Sequence, residues 1–286
     1  MKIVSYLAED GSEGVGVALE NGIIPTGYTD IRDFIVAGPD VHDELRCRAD
    51  RSDPGQLVVP QKILAPVPKD AKLLWAGGNY QNHLAEVDLH PKEPVFFGKL
   101  RSAVIGPEEP IRIPFPETHC DWEAELCAVF SKRAYRVKAE DAYDYVFGYV
   151  MTNDVSARDV MDTEPLNITL CKCPDTFAPI GPHITTFDEV GDVNGKALAM
   201  TTHVNGVQKQ QASTDTMIYS IPTLIEFLTR WVTMEPGDIM SSGTCGGTGV
   251  GRKPQQFMHP GDSVTVRLDR IGALTNPLEA GWKETS

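Results

Sequence analysis

The chain is cut into short pieces by its breakers. It carries 25 glycines and 21 prolines in 286 residues, spread between apolar runs rather than gathered in one block. Proline removes a backbone donor and fixes φ, and glycine weakens the interior of any regular element, so neither sits inside a long helix or central strand without cost. Such a chain folds as many short strands joined by turns, with helices only where the breakers thin out. Residues 2–26 read as two or three strands turning at Asp10-Gly11 and Asn21-Gly22, and residues 197–211 as a hairpin around Asn205-Gly206. Residues 72–76, 95–99, 121–130 and 146–152 read as further strands. Short helices are expected within 30–48 and over 80–87, 139–145, 155–162 and 221–232, the last capped by Ser220. The class is therefore α+β, mainly β. The break at residues 51–55 and the prolines 60, 66 and 68 place a boundary between a small N-terminal α/β accessory domain, 1–65, and a main domain, 70–286.

Twenty-six Lys and Arg against forty Asp and Glu give a net charge of −14, which repels phosphate and so argues against nucleic acid and anionic membrane as partners. The one basic stretch, Lys132, Arg133, Arg136 and Lys138, is diluted by other residues. No run of 18 apolar residues could span a bilayer, and the apolar start is too short for a secretion signal. Six cysteines without metal or disulfide spacing point to a reducing, cytoplasmic setting. An anionic substrate would need dedicated cations or a metal.

The strongest strand pattern is 121–130. Alternation puts Trp122, Ala124, Leu126, Ala128 and Phe130 on one apolar face, and Glu123 and Glu125 side by side on the other, roughly 7 Å apart. That is either the acidic end of an edge strand or a site for a hard cation, which would relieve the repulsion. Asp154 follows the apolar run 146–152, where it could join such a site or simply cap the next helix. His83 and Glu86 lie three apart on a short helix between Gly77-Gly78 and His90-Pro91, a spacing that fits either a proton-transfer pair on a lid or an ordinary surface pair. Residues 242–251 hold five glycines but match neither phosphate-loop pattern, which leaves a backbone wall against a small ligand, with Thr244 as a hydroxyl contact. Cys171 and Cys173 have the wrong spacing for zinc.

Taken in order, these stretches resemble the fumarylacetoacetate hydrolase family from about Leu73 to Leu268. The match runs through Asn79-Tyr80-Gln81-Asn82-His83-Leu84-Ala85-Glu86, Pro94-Val95-Phe96-Phe97-Gly98-Lys99 and Asp121-Trp122-Glu123-Ala124-Glu125-Leu126. It continues through Asn153-Asp154-Val155-Ser156-Ala157-Arg158-Asp159, the stretch 172–182 and Ser242-Gly243-Thr244. The resemblance implies a β-rich roll, usually dimeric, with Glu123, Glu125 and Asp154 holding Mg²⁺ or Mn²⁺, or Ca²⁺. It implies His83 and Glu86 as a water-activating dyad, Lys172 beside the metal, and Lys99, Arg158, Gly243 and Thr244 at the substrate. Leu100, Cys173-Pro174 and Cys245 depart from the family's usual residues near the expected substrate pocket. The activity implied is hydrolysis of a carbon–carbon bond in an acylpyruvate or other β-diketo acid. Decarboxylation of an oxaloacetate-type acid or tautomerisation of a 2-hydroxy-dienoate could use the same site, since each passes through an enolate. A non-catalytic, metal-stabilised β module is the reading furthest from these.

Overall fold

The computed structural model describes residues 1–51, 57–87, 91–161 and 166–282; the expected breakers at 52–55, His90 and Asp162 lie outside them. The mainly β class holds. An eleven-stranded sheet runs, in spatial order, Gly22–Pro25, Glu13–Leu19, Lys2–Leu7, Ala178–Thr186, Val146–Asn153, Ala124–Phe130, Ile239–Thr244, Leu73–Gly77 and Val95–Gly98. Lys62–Leu64 pairs with Lys2–Leu7, and Val104–Ile105 with Ala178–Thr186. A five-stranded sheet holds the expected hairpin, Ala199–Val204 with Val207–Ser213, turning at Asn205 and Gly206, both in the left-handed region. The first strand pairs with Ala178–Thr186 through Lys2–Thr185 and Ile3–Ile184, so the N-terminal strands extend the main sheet.

Helices fill the gaps. Gln81–Val87 and Ile221–Thr229 fall where the sequence puts them, and the Ser220 side chain accepts from Thr223 N–H at 3.3 Å as an N-cap. Residues 139–145 form a 3₁₀ helix, and the helix expected over 155–162 is reduced to Arg158–Met161, because Ser156 and Ala157 pair with Asp121 and Cys120 instead.

The middle of the main sheet is where acidic residues are drawn inside. Ala124–Phe130 is an interior strand between Val146–Asn153 and Ile239–Thr244, and all seven of its residues are buried. That removes the acidic-edge reading. Ala124, Leu126, Ala128 and Phe130 pack into one core cluster while Cys127 and Val129 pack into another, as period-2 alternation requires. Trp122 does not follow its expected face-mates. The chain leaves its pairing with Ser156 before entering the large sheet at Ala124, and Trp122 turns into a third cluster with Cys120, Val155 and Met258.

Candidate metal and acid–base centre

The register of two strands builds the centre. Ala124 lies opposite Asn153, the Asn153 side chain accepts from Glu123 N–H at 2.9 Å, and Asp154 N–H donates to the Glu123 carbonyl at 2.8 Å. Glu123 and Glu125 thus project from one strand while Asp154 follows the end of its neighbour. Carboxylate oxygens of all three converge to within 4.8 Å of one another, and all three residues are buried. Asp154 is no helix cap: the next helix begins four residues later, at Arg158.

Three cations face this cluster. Lys172, at the end of the helix Ile168–Lys172, donates from Nζ to Glu123 Oε2 at 2.7 Å and to Asp154 Oδ2 at 2.8 Å. Arg158 pairs through Nη2 with Glu123 Oε1 and donates through Nε to Asp121 Oδ2 at 2.9 Å. Lys99 is buried, donating to the carbonyls of Val155 at 3.3 Å, Phe177 at 2.8 Å and Lys172, with its Nζ also 2.5 Å from Asp154 Oδ1. Since an ammonium has three hydrogens and three carbonyls take them, Asp154 Oδ1 is buried beside a positive charge yet accepts no hydrogen bond.

The two glutamates respond oppositely to this environment. Burial alone would raise the Glu123 carboxyl, but the charges of Lys172 and Arg158 outweigh it and hold the group well below the usual carboxylate range. For Glu125, burial and then the carboxylates of Asp154 and Glu123 push the group up strongly, outweighing the charge of Lys172 and the Ser241 hydroxyl that donates to it. An oxygen-only set of three converging buried carboxylates, one of them driven toward protonation by its neighbours, suits a hard divalent cation, which would restore the charge on Glu125. The residues fit such an ion.

The helix Gln81–Val87 closes over one side. His83 is buried, with Nδ1 3.7 Å from Glu86 Oε2, and it lies near enough to Glu123 to influence that carboxyl. Glu86 is latched to the glycine-rich loop, accepting from Gly247 N–H at 2.7 Å, and Asn82 beside it accepts from Gly246 N–H at 3.0 Å. Burial would raise Glu86, but His83 and the Gly247 N–H reverse that and hold it below the usual range. Gly247 is required here: its φ is +96°, and a Cβ would lie 2.4 Å from the Lys209 carbonyl. Gly243 has a φ of +87° with Ala76 and Asn79 against it.

The residues expected at the substrate sit deeper than expected. Thr244 is buried, its hydroxyl donating to the Ala124 carbonyl at 3.0 Å and accepting from Gln210 Nε2 at 3.0 Å. Arg158 and Lys99 are committed to buried carboxylates and carbonyls. Leu100, Cys173 and Pro174 line one mostly apolar cavity of about 280 Å³ with Phe115 and Leu170, whereas Cys245 is buried against Gln210. Sequence reasoning missed Asp121, Asn153, Ser241 and Gln210. Only Asp121 left a signal, since it shares odd parity with Glu123 and Glu125.

The family model of the fumarylacetoacetate hydrolase C-terminal domain matches residues 72–279. A mitochondrial oxaloacetate tautomerase of Xenopus laevis is 36% identical over 292 aligned positions, covering 97% of this chain and 90% of that protein. A 2,4-didehydro-3-deoxy-L-rhamnonate hydrolase of a Sphingomonas species is 35% identical, covering 85% of this chain and 86% of that protein. Among solved structures, maleylpyruvate hydrolase from Sphingobium sp. SYK-6, in complex with manganese(II) and pyruvate, superposes with a TM-score of 0.79 at 27% identity, covering 99% of this chain and 100% of that one.

Proposed function

The chain belongs to the fumarylacetoacetate hydrolase family, and on that premise we propose that it is a divalent-cation-dependent enzyme that interconverts the enol and keto forms of an oxaloacetate-type 2-oxo acid. The observation that carries this reading is the meeting, in one buried centre, of three carboxylates with the Lys172 ammonium and the His83 imidazole, which is what moving a proton beside a carbonyl needs. The likeness to the Xenopus tautomerase over 97% of the chain supports it further.

Glu123, Glu125 and Asp154 are the residues that would hold Mg²⁺ or Mn²⁺. When bound, the cation supplies a compact positive charge against the oxygens of the substrate in a chain that is otherwise acidic. His83 removes the enol hydroxyl proton and a proton is returned to the adjacent carbon, so one O–H is lost and one C–H gained. Glu86, latched to Gly247, stabilises the imidazolium in between. Lys172 offsets the negative charge that builds on the oxo oxygen. Lys99, Arg158 and Thr244 act as positioning residues, and Gly243 shapes the loop beside them.

Hydrolysis of an acylpyruvate is the second reading. It is supported by the likeness to the two hydrolases and by the His83–Glu86 pair, which could deprotonate water equally well. The test adds enolic oxaloacetate, oxaloacetate and several acylpyruvates to the protein with Mg²⁺, Mn²⁺ or EDTA. Faster loss of the enol's ultraviolet absorbance, abolished by EDTA, is expected. Acylpyruvate cleavage with no effect on the enol would replace the first reading by the second. Six free cysteines, five of them buried, support a reducing compartment, and we place the protein in the cytoplasm as a homodimer, a state that light scattering checks.

A further inference from the structure

Asp121 is neither cation ligand, proton carrier nor substrate contact, yet it is fully buried and joins three parts of the centre. Its Oδ1 accepts from Trp122 N–H at 2.8 Å and Gly249 N–H at 2.6 Å; its Oδ2 accepts from Val250 N–H at 3.1 Å and from Arg158 Nε at 2.9 Å. The same guanidinium reaches Glu123 through Nη2. A simpler role would be to tie down the glycine-rich loop. That task uses only the two loop donors, Gly249 N–H on one oxygen and Val250 N–H on the other, and an asparagine would keep one of them.

The charges argue for more. In direct ion pairs Glu123 and Asp154 face Lys99, Lys172 and Arg158, two negative groups against three positive, so a divalent ion would enter a cluster that repels it. Asp121 is the third carboxylate in these ion pairs, and it brings the balance to zero. It does so through Nε of Arg158 while Glu123 takes Nη2, so the guanidinium is shared and does not neutralise Glu123 alone. Groups that orient and charge-balance ligands in this way tune affinity for an ion they never touch.

We propose that Asp121 is a positioning residue for the cation centre: it draws off the charge of Arg158 so that Glu123 remains available to a divalent ion, while anchoring the glycine-rich loop to the same guanidinium. The inference rests on the reading of the three carboxylates as a cation site.

The test measures Mn²⁺ affinity by calorimetry or by the loss of the free-ion paramagnetic resonance signal, with the melting temperature in EDTA recorded alongside. Asp121→Asn keeps the shape and removes the charge, and it is expected to weaken Mn²⁺ binding about 10- to 100-fold. The double variant Asp121→Asn with Arg158→Met restores the charge balance of the wild type and is expected to bind Mn²⁺ more tightly than Asp121→Asn alone. A purely structural role predicts the reverse order, because the second substitution removes further contacts. Binding by Asp121→Asn within twofold of wild type, or a double variant weaker than the single one, overturns the proposal and leaves the cation site standing. If wild type itself binds no Mn²⁺, the site reading falls and this inference with it. Should Asp121→Asn not fold, Arg158→Met alone decides: it must bind Mn²⁺ at least as tightly as wild type, and weaker binding overturns the proposal.

Discussion

Glu125 gives the sharpest test of the centre, because the cation-free protein should be more stable without its charge. Burial and the carboxylates of Asp154 and Glu123 raise its proton affinity on folding. The sign follows from linkage: a group whose folded pKa lies above its unfolded value contributes stability that is fully present below the unfolded pKa, near 4.3 for an ordinary glutamate, and loses it as pH rises. Each pH unit over which Glu125 stays protonated in the fold while it ionises in the unfolded chain costs about 1.4 kcal/mol. Glu125→Gln mimics the protonated acid, keeps an oxygen for the Ser241 hydroxyl and abolishes the slope. For a chain of this length each such pH unit corresponds to about 2 °C in melting temperature. The assay is calorimetry in EDTA from pH 5 to 8, repeated with saturating Mn²⁺. In EDTA the variant should melt above wild type by a margin that widens with pH. With Mn²⁺ the wild type should rise and the variant should not, since only a state that binds the ion gains from it. A variant that melts at or below wild type in EDTA at pH 7, or a margin that stays flat with pH, would refute the reasoning that these carboxylates repel one another in the absence of the ion.

Two further substitutions separate architecture from chemistry. Lys99→Met removes a buried ammonium and leaves Asp154 and three carbonyls without their partner, so urea titration should show a loss of about 3–5 kcal/mol; a loss under about 1 kcal/mol would mean that Lys99 does not hold Asp154. His83→Ala should lower kcat about 10²- to 10⁴-fold with Mn²⁺ affinity unchanged, because the imidazole is assigned to proton transfer and not to the ion; loss of Mn²⁺ binding would instead make it a ligand.

The parts of this centre that were legible in the sequence are those fixed by local geometry. Glu123 and Glu125 share a face because strands alternate, and that holds whether or not the neighbouring strands are known. Asp154 could be placed because it follows an apolar run that had to be a strand. His83 and Glu86 share a helix face by spacing alone. Where the backbone departs from its regular path, the same rule failed: Trp122 keeps even parity with Ala124 but lies in another cluster, because the chain passes between two sheets at that residue.

What stayed hidden depends on pairing across the chain. Lys99 meets Phe177 at a separation of 78 residues and Arg158 meets Asp121 at 37, and no spacing rule reaches so far. The residues were visible, but their roles were not, and both were expected at the substrate. The net charge of −14 shows the consequence. From sequence, a divalent ion had to be invoked to absorb three buried carboxylates. The structure supplies three buried cations for them first, so the centre and Asp121 together account for only −1 of the total. The positive charge an anionic substrate meets therefore depends on the small excess that remains once an ion joins a nearly balanced cluster. Such a site is sensitive to single charges at its margin, which is why a carboxylate that touches neither ion nor substrate can govern it.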